Sequence, residues 1–281
     1  MAESATPGAY PVGVPVHRLD RMTTHTTSRL SRTLMTGYGM LAYGAFLVVF
    51  LYAIGWVEGL VVPRTIDEGP AAPTAVAVVI DLALLSIFAV QHSVMARPWF
   101  KRRWTRIVPP PIERATYVLF ASAALALVMW QWRPIPQQVW DVETMWLRVV
   151  LYAVSLGGFA LVLASTFAID HFDLFGVRQV IRNQLELPAA TAEFLTPRLY
   201  RIVRHPLYAG FLIAFWVAPT MSVGGLMFAA VTTVYVLVAI QLEEHDLIGT
   251  FGDRYRTYRT QVPMLVPGRR RVSPVRELSR S

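Results

Sequence analysis

The chain has 281 residues, of which 54% are hydrophobic and 16% charged. A soluble domain carries about 25% charged residues, so this composition, with a mean hydropathy of +0.44, argues against an ordinary soluble domain and for an integral membrane protein. There is no cysteine, which excludes disulfides, thiolate catalysis and cysteine-ligated metals.

Residues 1–35 are polar and carry four arginines, and read as a disordered basic tail. The first apolar run is longer than a signal-peptide core. Six apolar runs follow, at about 37–60, 74–96, 115–132, 145–169, 207–221 and 224–242, each near the ~20 residues that cross a bilayer. The last two are separated by Ser222-Val223-Gly224-Gly225, which predicts a tight antiparallel hairpin. Residues 268–281 form a second basic tail, leaving 36–267 as one transmembrane domain. The expected fold is an all-α integral membrane protein, a bundle of about six transmembrane helices with a cofactor pocket facing the cytoplasm.

The net charge of +8 alone would be compatible with nucleic acid, but its distribution argues otherwise. With six spans, 23 of the 26 lysines and arginines fall on one side, and only Arg64, Arg133 and Arg148 on the other. Positive residues mark the cytoplasmic side. Both termini are therefore expected in the cytoplasm, in the inner membrane of the cell. The charge is a topology signal, with some attraction to lipid headgroups and no nucleic-acid partner.

This map puts four polar clusters at cytoplasmic helix ends: Gln91-His92-Ser93, Asp170-His171-Phe172-Asp173, Arg204-His205-Pro206 and Glu243-Glu244-His245-Asp246. Four of the six histidines lie there. Ionisable residues at membrane depth are costly and mark function by default, although polar residues at membrane boundaries also simply meet water. Pro206 suits the first position of a helix, whose free N–H groups and neighbouring Arg204 could hold a carboxylate. Glu243 and Glu244 point about 100° apart on a helix. One is expected inward, to bind ribose or ammonium, and the other toward water or an arginine; a structural ion pair of Arg204 with the inward glutamate is the alternative. The histidines and carboxylates leave a haem or di-metal site open, but no H-x-x-x-H or H-x-x-E-H spacing is present. No metal is expected.

The run R-H-P-L-Y-A-G at 204–210, the apolar hairpin, Glu243-Glu244 with Leu247, then Phe251-Gly252, Tyr255, Tyr258, Val262-Pro263 and Pro267 resemble the isoprenylcysteine carboxyl methyltransferase and phospholipid methyltransferase superfamily. Gln91-His92-Ser93-Val94-Met95-Ala96-Arg97, Glu113-Arg114 and His171-Phe172-Asp173-Leu174-Phe175-Gly176 look like its NnrU-like branch. The resemblance implies an S-adenosylmethionine-dependent methyltransferase. Within the branch, the expected acceptor is a small thiol, methanethiol, giving dimethyl sulfide. A lipid or prenylated acceptor, or a non-catalytic haem or quinone carrier, are the alternatives. The superfamily pattern assigns Arg204, His205, Pro206, Tyr208, Gly210, Glu243, Glu244 and Tyr255 to the cofactor, with Gln179, Tyr200 and Leu247 as additions. Tyr208, Tyr255 and Trp216 are candidates for cation–π contact with the sulfonium. A thiol must lose its proton to react. His171, oriented by Asp173, is the first candidate base, and His92 the other.

Overall fold

The computed structural model describes residues 28–188 and 194–268. Most of both expected tails lies outside them. Residues 29–35, assigned to the N-terminal tail by sequence, instead form the start of α1 (Arg29–Glu58), which Ser28 caps by accepting from Ser31 N at 3.1 Å. Then follow α2 (Thr74–Ala96), the short α3 (Pro98–Trp104), α4 (Pro110–Gln131), β1 (Gln138–Asp141) and α5 (Met145–Ile169). The short α6 (His171–Leu174) and α7 (Val177–Gln184) precede a 3-10 turn (Arg198–Arg201), α8 (Pro206–Trp216), β2 (Thr220–Ser222), α9 (Val223–Phe251) and α10 (Asp253–Gln261).

Five helices, α1, α2, α4, α5 and α9, are long and apolar enough to cross a membrane. The fifth expected span departs from this pattern. Its helix, α8, has 11 residues and rises about 16 Å, roughly half the hydrocarbon thickness. Pro219 has no N–H to continue the helix and forces its predecessor into extended backbone. The chain reaches the opposite end of the bundle as an extended segment, and β2 pairs antiparallel with β1, Asp141 opposite Thr220. The expected Gly turn at 222–225 is therefore not a hairpin turn. Ser222 caps α9 through Gly225 N at 2.9 Å, and both glycines lie in its first turn. Gly224 packs where a Cβ would come 3.2 Å from Ile135 N.

The helices alternate in direction. At one end, Trp132 Nε1 donates to Ile66 O at 3.0 Å, Arg133 N to Asp81 Oδ1 at 2.9 Å, and the two strands pair. Arg64, Arg133 and Arg148, the three basic residues that sequence placed apart, are at this sheet end, Arg148 paired with Asp141 at 2.7 Å. At the opposite, basic end meet the start of α1, the ends of α2, α5 and α9, and the starts of α4 and α8. Links such as Arg97–Asp246 at 2.8 Å and Arg114–Asp173 at 3.1 Å join them.

The apolar core is concentrated away from the basic end. Trp56, Leu84, Leu85, Val128, Met129, Trp132 and Phe228 form one cluster, and Phe50, Phe159, Val162 and Ala214 join α1, α5 and α8 in another. α5 and α8 touch through glycine. A Cβ on Gly158 would lie 2.6 Å from Gly210 O, and one on Gly210 would lie 2.6 Å from Gly158 O. Only small residues allow backbones this close.

Candidate active site

Glu244 shares a stripe of α9 with Val236 and Ile240, eight and four residues earlier, and all three are buried. Its Oε1 accepts from Arg204 Nε at 2.8 Å and lies 3.0 Å from His205 Nε2; its Oε2 accepts from Arg259 Nε at 3.1 Å. Arg204 also donates to Arg259 O and Val262 O, while the backbone N–H groups of Arg204 and His205 donate to Pro263 O and Met264 O at 2.8 and 3.1 Å. The carboxylate is thus surrounded by cationic donors, and the cluster ties α8, α9 and α10 together. Pro206, fully buried, opens α8.

Glu243 is turned about 100° away and accepts from Tyr208 OH at 3.0 Å. That direction leads into a cluster of polar side chains from α2, α4, α8 and α9, the candidate chamber for a ligand. Tyr208 lies in electrostatic reach of Glu243, Tyr235 and Tyr117, and Tyr117 in reach of Arg97, Arg114 and Glu243. Tyr117 OH lies 2.9 Å from His92 Nε2, and Ser93 OH lies 3.5 Å from Tyr235 OH. On the rim, Arg114 donates to Asp173 Oδ2 at 3.1 Å and Gln179 Nε2 to Asp173 Oδ1 at 3.0 Å, while the buried Oε1 of Gln179 has no partner. Of the two adjacent glutamates, Glu244 is the one locked in ion pairs and Glu243 the one facing the chamber.

The expected Asp173–His171 pair does not form, because Arg114 and Gln179 take the carboxylate. His171 is instead held by Tyr43 OH at 2.9 Å on Nε2 and Thr166 Oγ1 at 2.8 Å on Nδ1, and stacks on Phe167 with centroids 4.1 Å apart. Its other ring neighbours are Phe172 and Phe175. Among the described residues none of these bonds or ring contacts reaches His92, Tyr208 or Glu243. Burial lowers the His171 pKa, against a smaller opposing pull from Asp170. The ring is then neutral in the fold, and the unfolded chain binds the proton more readily. Stability is full above the ordinary value of about 6.5 and falls as pH drops below it. A thermal melting series should show that decline, and His171→Gln should remove its share of it.

Gly210 does not face the chamber: its missing Cβ serves the α5–α8 crossing. Trp216 lies at the far end of α8, donating to Thr233 Oγ1 at 2.9 Å, and cannot approach a ligand at the basic end. Tyr255 is buried among Phe194 and Tyr258. Tyr258 OH in turn donates to Tyr200 O at 2.5 Å and Tyr200 OH to Ser165 O at 3.4 Å. These tyrosines brace α10 against α5. Leu247 is half-buried on α9, and His245 is exposed. Arg114, Tyr117 and Tyr235 enter the site unanticipated as site residues. Tyr235 stands eight residues before Glu243, about two turns away on the same face, and that spacing was visible in the sequence.

The NnrU protein family matches residues 81–225, just over half of the chain, and that stretch holds His92, Arg114, Tyr117, Asp173, Gln179 and Tyr208. The chain belongs to the NnrU family. Among its relatives, methanethiol S-methyltransferase 1 of Bradyrhizobium diazoefficiens is 55% identical over 88% of this chain and 87% of its own length. Methanethiol S-methyltransferase of Mycobacterium tuberculosis is 54% identical over 85% of this chain and 98% of its own. Nurim of Bos taurus is 32% identical over 59% of this chain and 66% of its own. No solved structure matches with significance. Among the described residues no three histidine or carboxylate side chains converge in a way that could hold a metal ion.

Proposed function

We propose that this NnrU protein methylates a small thiol, methanethiol, to dimethyl sulfide, with S-adenosylmethionine as donor, at the cytoplasmic face of the inner membrane. One observation carries the reading: Glu243, which has no arginine partner among the described residues, accepts from Tyr208 within a cluster of further tyrosines at the basic end of the bundle. The relatives named for this activity match most of the chain.

The chamber suits the cofactor chemically. S-adenosylmethionine supplies an activated methyl on a sulfonium cation, and no metal is needed. A carboxylate beside tyrosine rings favours a cation, through charge and through the ring faces. Glu243 and Tyr208 would hold the nucleoside and sulfonium part, with the unpartnered Gln179 Oε1 as a further acceptor. Arg114 and the first turn of α8 favour the carboxylate end. The Glu244 lock positions this wall by fixing the start of α8, and the packed helices exclude water, so that the reacting groups meet in line. The arginine-rich segments at this end of the bundle support a cytoplasmic orientation by the positive-inside rule.

Cells expressing the protein and fed methanethiol should release dimethyl sulfide above a vector control, measured by headspace gas chromatography. Glu243→Gln should weaken S-adenosylhomocysteine binding by roughly 10–100-fold in calorimetry, since a charge-assisted hydrogen bond contributes about 1.5–3 kcal/mol. No increase in dimethyl sulfide would overturn the thiol assignment, and unchanged affinity would remove Glu243 from the cofactor site.

A further inference from the structure

We propose that His92 takes the proton of the thiol acceptor and that Tyr117 positions its ring for this, among the aromatic rings of Phe88, Tyr117 and Tyr235. The inference rests on the methyltransferase reading. It replaces His171 as base with a residue from a different pair of helices.

Three observations carry it. The first is what each histidine can still do. Both ring nitrogens of His171 have separate partners, Tyr43 and Thr166, and its ring is 3% exposed within an aromatic nest. His92 has a single oxygen for both nitrogens: Tyr117 OH lies 2.9 Å from Nε2 and 3.1 Å from Nδ1. An oxygen at this range nearly equidistant from the two lies over the ring face, poorly aligned with either in-plane lone pair, and one hydroxyl proton serves one of them. A small rotation gives Tyr117 one nitrogen and turns the other to the chamber.

The second is location. Tyr117 is in electrostatic reach of Glu243 and of Tyr235, and Tyr208 in reach of all three. The His92 pair is therefore on the same chamber as the proposed cofactor residues, whereas the contacts of His171 are not. The charged and titratable groups around His92 are Arg97 on its own helix, Tyr117 and Arg114 on α4, Tyr235 and Glu243 on α9, and Tyr208 on α8. Arg97 is paired with Asp246.

The third is the ring's surroundings. Phe88 stacks on His92 with centroids 5.3 Å apart, and Tyr235 meets Phe88 edge-on at 6.3 Å. Aromatic rings in contact at these spacings hold the imidazole from the side away from Tyr117. In the step, the acceptor S–H bond breaks, its proton moves to the free ring nitrogen, and its electron pair stays on sulfur as the thiolate nucleophile. The imidazolium then returns the proton to water at the chamber mouth.

The test compares wild type, His92→Gln, Tyr117→Phe and His171→Gln in lipid nanodiscs. The wild-type rate should level off above the titration of its base. In His92→Gln the rate should track free thiolate and climb about tenfold per pH unit up to the thiol's own titration, near or above the ~8.5 of a cysteine thiol. Tyr117→Phe, which keeps the base but loosens its ring, should lower kcat with little change in KM and shift the acid limb. The loss in His92→Gln should shrink at least tenfold when 2,2,2-trifluoroethanethiol, a more acidic thiol, replaces ethanethiol. His171→Gln should keep the wild-type pH profile. Calorimetric affinity for S-adenosylhomocysteine should stay within twofold in His92→Gln and Tyr117→Phe. A level pH profile in both those variants, or a tenfold loss of affinity, would overturn the assignment. Wild type inactive on every thiol would instead sink the function on which it rests.

Discussion

Glu244→Ala should cost about 3–5 kcal/mol of stability, the range for removing one partner from a buried ion pair. The carboxylate is 2% exposed and Arg204 10%. Without Glu244 the guanidinium Nε and the His205 ring stay buried with their acceptor gone. Their backbone bonds to Pro263 and Met264 hold them in place, so neither can reach water without opening the start of α8. Arg259 is about half exposed, and its share is small because solvent screens it. Glu244→Gln keeps a carbonyl acceptor and should lose less. Melting followed by tryptophan fluorescence in detergent measures both. The contrast with its neighbour is the sharp part: Glu243→Gln should leave the melting temperature almost unchanged while weakening the cofactor product. Equal melting losses at the two positions would contradict the division of labour drawn from their opposite directions.

Gly210→Val should be comparably severe, for a different reason. Even the first added carbon would sit 2.6 Å from Gly158 O, 2.9 Å from Val162 Cγ2 and 3.0 Å from Val162 N. Two of these atoms are backbone, so relief requires moving α5 from α8. Overpacking of this kind costs typically about 1–3 kcal/mol and more where backbone must shift. Because α8 carries His205 and Tyr208, activity should fall along with stability, and S-adenosylhomocysteine should restore part of the melting temperature if the chamber still forms. Gly157→Val is the control: its Cβ position has nothing within 4 Å, and the change should be nearly silent. A Gly210→Val protein that melts like wild type would show that the crossing has slack.

Much of this was legible in the chain because membrane helices write their positions as apolar length. The ends of α2 and α5 fall where hydropathy puts them, and the basic segments collect at one end as arginine counting requires. Pro219 is equally visible in the sequence. A proline near the end of an apolar run stops the helix, and the shortness of α8 follows. The β1–β2 pair was hidden because Gln138–Asp141 is short, exposed and polar in context, and only its partner makes it a strand. The superfamily resemblance assigns Gly210 to the cofactor; a glycine can equally admit another helix, and sequence holds no distance to separate the two. Asp173 was paired with the nearest histidine in sequence, whereas a neighbouring helix supplies Arg114, whose fixed charge competes better for a carboxylate. Tyr117 and Tyr235 drew no attention because tyrosine in a membrane helix ordinarily marks an interface.

The most direct measurement is methyl transfer by the purified protein in nanodiscs, with methyl-13C S-adenosylmethionine and methanethiol and the headspace read by mass spectrometry. The expected product is dimethyl sulfide with one labelled methyl, formed by wild type and strongly reduced in Glu243→Gln, which remains folded. Absence of labelled product from a folded, cofactor-binding wild type would contradict the account.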